Sequence, residues 1–239
     1  MMLFALAEDD FRFRTLIKEE LKLYKKNQLI IDAHDGLELL LGLNISKKMP
    51  HIILLDIQMP KIDGLLLAQY ISHKYPELKM IGISTHSNVE IVTEVLSEGA
   101  IAFISKHFAH RDSGIYISCF GDRNIFFEAI ESAAKSEQYI DLLLINKPKE
   151  MKLSKSTSAI RQKEYPNLTP NQIEFIILNA ADLSYDEIAK IMQLSRSSVK
   201  SFYNQLAKLF DIHSRAELVT YCVKRGLVKL PSYYDKEIS

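Results

Sequence analysis

The feature that most constrains the fold is an alternation in the first part of the chain, where short apolar runs are separated by longer segments of helical period. Apolar residues three or four apart indicate amphipathic helices, and short apolar runs between them indicate buried strands. The apolar runs are residues 3–7, 29–33, 52–55, 80–83 and 101–104. Strands that alternate with helices form a parallel sheet covered on both faces. The sequence therefore predicts a five-stranded, doubly wound α/β domain.

A second pattern, helical throughout, occupies the C-terminal part of the chain. Residues 169–172 form a capping box with proline at the first helical position, and residues 184–187 form a second capping box. Ser195 and Ser214 are placed to cap two further helices, the last of which stops at Gly226. Four short helices at this spacing predict an all-α helix-turn-helix domain.

These patterns divide the chain into an α/β domain at residues 1–140, a linker at 141–166 and a helical domain at 167–230. Lysines, serines and prolines give the linker its polar composition. Residues 107–123 interrupt the α/β alternation and form an insert with an apolar, β-prone centre. This insert could be an added edge strand, a dimer element or a disordered loop.

Composition narrows the class of protein. Because 30 Lys+Arg balance 30 Asp+Glu, net charge excludes bulk binding to polyanions. Cys119 and Cys222 are too far apart in sequence to indicate a disulfide framework or a thiolate zinc site, and we interpret them as packing residues. No apolar stretch approaches the roughly 20 residues of a membrane span, and the first residues lack the features of a signal peptide. We expect a cytoplasmic protein without membrane contact.

Chemically active side chains follow four of the predicted strands. Glu8 and Asp9 follow the first strand, Asp56 the third, Ser84 the fourth and Lys106 the fifth. The carboxyl ends of parallel strands meet on one rim of the sheet, which is where α/β folds bind ligands. Carboxylates that converge there repel one another unless a cation intervenes, and Mg²⁺ prefers oxygen ligands. The rim therefore predicts a magnesium site.

A carboxylate beside Mg²⁺ can act as nucleophile toward a phosphoryl donor, because the metal and a nearby ammonium neutralise the charge that develops on the transferred oxygens. Asp56 is placed for that role. Lys106 would supply the ammonium, and the Ser84 hydroxyl would bond to a phosphoryl oxygen.

The rim residues lie in a longer motif. Residues 56–64 read DIQMPKIDG, and they are preceded by the Glu8–Asp9 pair and followed by Ser84, Gly99-Ala100 and Phe103 to Lys106. With these motif residues, the segment 1–106 resembles the receiver domain of two-component response regulators. The resemblance implies a flavodoxin-like sheet and a sensor histidine kinase as partner.

The resemblance also assigns roles. It implies that Asp56 is the phosphoacceptor, that Asp9, Asp56 and the Gln58 backbone carbonyl ligate Mg²⁺, and that Glu8 assists through water. Ser84 and Phe103 match the hydroxyl and aromatic switch positions, and Lys106 matches the lysine of the family. The chain departs from the family at the insert: His107 stands where proline usually follows the lysine, and the insert falls on the face used for dimerisation.

Residues 168–229 resemble the LuxR-type helix-turn-helix domain of the NarL/FixJ group. The matching residues are Leu168-Thr169-Pro170, Glu174, Glu187-Ile188-Ala189, Leu194-Ser195, Val199-Lys200, Asn204, Lys208-Leu209 and Glu217-Leu218-Val219. Gln172 stands where the family generally has glutamate, and its capping role survives that change. The resemblance implies binding to double-stranded DNA.

The third helix of this domain carries donors and no acid between Ser195 and Phe210. A helix without carboxylates can approach phosphates and base edges. We expect its buried stripe to be Val199, Phe202, Leu206 and Leu209. We expect DNA contacts from Lys200 and Ser201 to bases, and from Ser198 and Lys208 to the backbone. The predicted contact set is completed by Arg196 and Asn204.

The leading hypothesis is a regulator whose phosphorylation on Asp56 controls DNA binding and transcription, active as a homodimer on paired half-sites. The insert motivates an alternative, in which DNA binding is independent of phosphorylation and the receiver serves only as a dimerisation or partner module; Asp56→Asn would then leave operator affinity unchanged. A Mg²⁺-dependent phosphatase of the haloacid dehalogenase type is a third hypothesis. Such enzymes need a second acid two residues after the nucleophile, where this chain has Gln58, so we expect a regulator and not an enzyme.

Overall fold

The structure is a computed structural model of the chain. It describes residues 1–23, 27–60, 62–85, 89–106, 108–111, 114–117, 119–120, 123–140 and 168–228. The predicted linker at 141–166 lies outside the described residues, as does His107.

A parallel sheet forms the centre of the N-terminal domain. Its first five strands are β1 (Met2–Ala7), β2 (Asn27–Ala33), β3 (Ile52–Asp56), β4 (Lys79–Ser84) and β5 (Ala102–Ser105). They lie in the order β2-β1-β3-β4-β5, and all of their pairings are parallel. A sixth strand, Tyr139–Ile140, pairs with β5 at the edge. The sequence pattern predicts five strands because two residues are too few to produce a strand period.

Helices cover both faces of the sheet. They are α1 (Phe11–Lys22), α2 (Gly36–Ile45), α3 (Gly64–Lys74), α4 (Val89–Ser97) and α5 (Ile125–Ala134). Successive strand residues point to opposite faces, so β1 contributes to two separate apolar cores. One core contains Phe4, Leu6, Phe13, Ile17 and Phe126. The other contains Ala5, Leu39, Leu55, Tyr70 and Phe103.

The insert contains two short antiparallel pairs. The first joins β6 (Phe108–Arg111) to β7 (Gly114–Ile117), and the second joins β8 (Cys119–Phe120) to β9 (Arg123–Asn124). In the described part of the insert, neither pair hydrogen-bonds to the parallel sheet. Of the three possibilities that the sequence leaves open, the added edge strand is not formed by these residues; the edge position beside β5 is taken by Tyr139–Ile140, which we number β10.

The C-terminal domain has the four predicted helices: α6 (Pro170–Ala180), α7 (Tyr185–Met192), α8 (Arg196–Phe210) and α9 (Arg215–Lys224). Both predicted capping boxes form. The Thr169 and Ser184 side chains accept from the backbone N–H groups of Gln172 and Glu187, the third residues of α6 and α7. In turn, the Gln172 and Glu187 side chains accept from the backbone N–H groups of Thr169 and Ser184. None of the helices in the described ranges has both the length and the hydropathy of a membrane-spanning segment.

The predicted buried stripe of α8 is wrong at one position. Val199 and Leu206 are fully buried and Phe202 is half-buried, but Leu209 is 50% exposed. The helix ends at Phe210, and the left-handed backbone of Asp211 then turns the chain. Phe210 instead stacks on Tyr221 of α9, with ring centroids 4.3 Å apart. Phe210 therefore packs against α9 at the end of the helix, while Leu209 is left half exposed.

Candidate functional site

The predicted rim residues converge at the carboxyl ends of neighbouring strands. Asp56 ends β3, Glu8 follows β1 and Lys106 follows β5. Lys106 Nζ lies 2.7 Å from Glu8 Oε1 and 2.8 Å from Asp56 Oδ2. Both carboxylates are buried, with Glu8 0% and Asp56 1% exposed. The structure thus brings the Lys106 ammonium to two carboxylates from earlier in the chain. Glu8 lies 98 residues before Lys106, and Asp56 lies 50 residues before it.

This cluster has the composition of a divalent-metal site. One carboxylate oxygen from each of Glu8, Asp9 and Asp56 lies within 4.8 Å of the others. Among the described residues, the buried Glu8 Oε2 has no hydrogen-bond partner. Three carboxylates face a single ammonium, and a buried acceptor without a donor is costly. Hard divalent cations take oxygen ligands of this kind, so the donor set fits such an ion.

The pKa values at the cluster record the same imbalance of charge. Burial, followed by the charge of Asp56, raises the pKa of Glu8 to about 7. Burial, followed by hydrogen bonding to Asp56, raises the pKa of Asp9 to about 6. Burial lowers the pKa of Lys106, but the charges of Asp56 and Glu8 outweigh it and hold this pKa above its usual value. The Lys106 ammonium therefore stays charged. Burial and the nearby Asp56 disfavour the ionised forms of Glu8 and Asp9.

The loop after β3 is held close to Asp56. The Gln58 N–H donates to Asp56 Oδ1 over 2.9 Å, and the Thr85 hydroxyl donates to Gln58 Oε1 over 2.9 Å. At the end of this loop, a Cβ on Gly64 would lie 2.6 Å from the Ile57 Cα, which no side chain can occupy. The glycine of the sequence motif is thus required because the loop returns against its own start.

Ser84 and Phe103 occupy the predicted switch positions, and both are fully buried. The Ser84 carbonyl at the end of β4 accepts from the Lys106 N–H over 2.8 Å, which ties the start of the Lys106 segment to β4. Phe103 packs in the apolar core beside Gly82, where an added Cβ would come within 3.2 Å of the ring. The ring points into the core in this structure, and its role as a switch stays a prediction.

The six predicted DNA-contacting residues all lie on α8. Ser198 is half-buried and interacts with the helix cap, its N–H donating to Ser195 Oγ over 3.1 Å. Arg196 forms an ion pair with Asp186 of α7, with Nη1 3.3 Å from Oδ2. The remaining residues are exposed on one continuous surface: Lys200, Ser201, Asn204 and Lys208. We call these four residues together with Arg196 the reading face.

Two polar networks in the structure are not predicted from the sequence. Arg215 donates to Asn179 Oδ1 and to the Leu183 carbonyl, each over 2.6 Å, and so joins α9 to the α6–α7 turn. Glu174 of α6 contacts Lys74 of α3 over 2.7 Å. Each network joins residues far apart in sequence, so neither has a local spacing that could reveal it.

Comparisons with known proteins found a matching domain family and similar chains. Residues 4–113 match the response regulator receiver domain family. The chain is 25% identical to the transcriptional regulatory protein DegU of Brevibacillus brevis, covering 94% of each chain. It is 24% identical to the oxygen regulatory protein NreC of Staphylococcus haemolyticus, covering 95% of this chain and 99% of NreC.

Among solved structures, the RcsB response regulator of Salmonella typhimurium aligns with a TM-score of 0.49 at 20% identity, covering 93% of this chain and 98% of RcsB. The matched receiver residues include every member of the acidic cluster, and the two sequence relatives extend along both domains. Residues 4–113 thus match the receiver domain of response regulators, and along both domains the chain is similar to the regulatory proteins DegU and NreC.

Proposed function

We propose that Asp56 accepts a phosphoryl group in a Mg²⁺-dependent reaction and that this modification controls binding of α8 to double-stranded DNA and thereby transcription. The observation that carries the proposal is the position of Lys106, whose ammonium lies within 2.8 Å of Asp56 Oδ2 while it also pairs with Glu8. Such a cation neutralises charge on transferred phosphoryl oxygens. A sensor histidine kinase is the donor that we propose.

Mg²⁺ would be held by Asp9, Asp56 and the Gln58 backbone carbonyl, with Glu8 assisting. When bound, the ion supplies charge neutralisation at the phosphoryl oxygens. The Asp56 carboxylate attacks phosphorus, a bond from one carboxylate oxygen to phosphorus forms, and the bond from phosphorus to the donor's leaving group breaks. Lys106 stays charged throughout because of its neighbouring carboxylates. In the proposed reaction, Ser84 would donate to a phosphoryl oxygen, and Phe103 would repack when Ser84 moves.

The reading face supports the DNA-binding part of the proposal. It presents three cationic side chains, Arg196, Lys200 and Lys208, and two uncharged donors, Ser201 and Asn204. Cations attract phosphates, and short polar side chains reach base edges in the major groove. The name of the relative DegU also points to transcription. One domain of this size buries little surface on DNA, so we propose that two copies bind paired half-sites.

The first experiment tests phosphorylation directly. Full-length wild type, Asp56→Asn and Asp10→Asn are treated with acetyl phosphate, with and without Mg²⁺, and their intact masses are measured. Asp10 is the matched control, because it is an exposed acid next to the cluster that caps α1, and asparagine caps helices equally well. We expect one phosphoryl adduct on wild type and Asp10→Asn, only with Mg²⁺, and none on Asp56→Asn.

A folded wild-type sample that stays unlabelled beside a receiver that does label would refute the phosphorylation proposal. The DNA-binding part is tested separately, by measuring duplex affinity of the same three samples before and after labelling. Equal affinity in all states would favour regulation that does not depend on phosphorylation.

A further inference from the structure

Glu174 is a buried carboxylate that the proposed function does not use. It lies on α6 of the C-terminal domain and is 1% exposed. Its two oxygens accept from receiver residues: Oε1 from Asn44 Nδ2 and Oε2 from Lys74 Nζ, each over 2.7 Å. A carboxylate is rarely buried unless it is paired and hydrogen-bonded. Among the described residues, both hydrogen-bond donors to this C-terminal domain acid come from the other domain.

The receiver side of this contact is built as a pocket for a carboxylate. Lys74 Nζ also donates to the Tyr70 hydroxyl over 2.7 Å and to Asn44 Oδ1 over 3.1 Å, so its three N–H donors each have an acceptor. The Tyr75 hydroxyl donates to the same Asn44 oxygen over 2.9 Å. These bonds fix the Asn44 amide with its Nδ2 directed at Glu174. We call Asn44, Tyr70, Lys74 and Tyr75 the carboxylate pocket.

A second contact joins the domains at another point. Ile62 and Val228 form an isolated antiparallel bridge, and both side chains are buried. Ile62 lies in the loop that leads away from Asp56, and Val228 follows α9. The apolar core of the receiver face that carries α3 continues into the C-terminal domain, where it includes Ile173 and Ile177. Docking thus combines a partly buried ion pair, a backbone bridge and a shared core.

The docked C-terminal domain keeps its reading face exposed to solvent. Helices α6 and α7 contact the receiver through α3 and α2. Arg196, Lys200, Ser201 and Lys208 are all exposed in the full chain. The side of the domain that contacts the receiver is therefore not the side that would contact DNA.

We propose that Glu174, seated in the carboxylate pocket, is a latch that holds the two domains docked, and that this docked arrangement is itself competent to bind DNA. The inference rests on the proposed function, because it takes α8 as the DNA-reading helix. It means that phosphorylation does not act by uncovering the reading face, which is uncovered already.

The competence of the docked form is tested by locking it. Ile62→Cys and Val228→Cys are introduced together in a Cys119→Ser chain, since residues paired across an antiparallel bridge lie within disulfide reach. Cys222 is retained because it is buried and burial raises the pKa of its thiol to about 12. Peptide mapping establishes which cysteines pair. Binding to a fluorescein-labelled mixed-sequence duplex of about three helical turns is followed by anisotropy at low salt, where phosphate contacts are strongest.

Oxidised and reduced samples are compared with and without acetyl phosphate and Mg²⁺. We expect the oxidised, locked protein to bind the duplex within about two-fold of the reduced protein in each state. Binding at least ten-fold weaker in the locked protein would overturn the inference while leaving the proposed function intact. If neither sample binds, the DNA-binding proposal fails, and the inference fails with it.

The latch itself is tested in the same two-cysteine chain through the equilibrium of the engineered disulfide with glutathione. Glu174→Gln should lower the oxidised-to-reduced equilibrium constant at least ten-fold, because the domains spend less time docked. Lys74→Met removes the receiver's partner of this ion pair and should lower the same equilibrium constant. Asp182→Asn is the matched control: Asp182 is an exposed acid just after α6, and asparagine tolerates its left-handed backbone.

Circular dichroism melts of each variant verify that both domains remain folded. An unchanged disulfide equilibrium in both folded Glu174→Gln and folded Lys74→Met would overturn the latch. A loss of the same size in Asp182→Asn would overturn it too, because the effect would then follow from charge alone.

Discussion

The hydroxyl of Thr85 and the side-chain oxygen of Gln58 lie 2.9 Å apart and join the loops that follow β4 and β3 beside Asp56. Gln58 is anchored at its other end, since its N–H donates to Asp56 Oδ1. The bond therefore ties together the two loops that adjoin the buried Asp56 carboxylate.

Removing this bond should loosen the two loops beside Asp56 and so ease the approach of a phosphoryl donor. Thr85→Val keeps the shape of the side chain and removes the donor, so we expect acetyl phosphate to label Asp56 faster, by about two- to five-fold if the bond is worth about 0.5–1 kcal/mol. Labelling rates from intact mass provide the measurement. Thr93→Val, which changes a threonine on α4, is the control. An unchanged or slower rate in Thr85→Val would show that the bond does not limit access.

Crowding of carboxylates should make the metal-free receiver less stable than it could be. Asp56→Asn removes one of three acids that face Lys106, while Glu8 still pairs with the ammonium. Without Mg²⁺, we expect the free energy of unfolding of this variant to exceed that of wild type by about 1 kcal/mol. The variant should therefore unfold at a higher urea concentration. Mg²⁺ should stabilise wild type more than the variant, because a bound ion stabilises the state that holds it.

Urea titrations with and without Mg²⁺, followed by circular dichroism, measure both effects. Asp10→Asn again serves as the control, because it lies beside the cluster without being one of its three acids. Equal stabilisation of wild type and Asp56→Asn by Mg²⁺ would argue against Asp56 as a ligand.

The reading face makes a prediction about salt dependence. If Lys200 contacts DNA, Lys200→Ala should weaken duplex binding and reduce the slope of log K against log salt by about one. Lys224→Ala is the matched control, because Lys224 is exposed at the end of α9 and lies outside the reading face. Anisotropy titrations at several salt concentrations supply both slopes. Equal slopes for the two variants would remove Lys200 from the DNA contact.

Leu206 and Leu209 of α8 offer a comparison of one residue type in two environments. Leu206 is 0% exposed and Leu209 is 50% exposed. Leu206→Ala should cost about 2–5 kcal/mol because it leaves a cavity, whereas Leu209→Ala should cost less than about 1 kcal/mol. Chemical denaturation followed by the helical circular dichroism signal measures the loss of stability in each variant. Similar losses would mean that Leu209 packs more tightly than its exposure indicates.

Asp32 should make stability depend on pH at the edge of the sheet. Burial raises its pKa, but Arg14 Nε and Lys18 Nζ, each 2.6 Å away, outweigh burial and hold the pKa below its usual value. A depressed pKa contributes stability above the unfolded-state value, and this is lost as pH falls through the folded-state value. Asp32→Asn should therefore be less stable than wild type at pH 7, by about 1 kcal/mol or less because the groups are partly exposed.

The difference between wild type and Asp32→Asn should shrink as the pH is lowered below about 4, where an aspartate of ordinary pKa takes up its proton. Thermal melts across that range measure it. A difference that persists unchanged into acid would assign the effect to lost packing instead of lost charge.

Much of this protein could be predicted locally. The strands β1 and β3 to β5, the helix starts at Thr169, Ser184, Ser195 and Ser214, and the convergence of Glu8, Asp56 and Lys106 all follow from patterns within a few residues or from the geometry common to parallel sheets. Capping and side-chain periodicity depend on near neighbours in the chain, so the sequence alone expresses them.

Other features exist only because distant segments meet. Phe210 stacks on Tyr221 of the next helix while its neighbour Leu209 stays half exposed, and the edge strand Tyr139–Ile140 forms by pairing with β5. The docked domains depend on Glu174 meeting Lys74, 100 residues earlier in the chain. No periodicity links such residues, because their contacts are selected by packing and by the cost of burying a charge without a partner. The sequence by itself thus determined the elements and the chemistry of the rim, and the tertiary structure decided how the two domains meet and which face of α8 remains open.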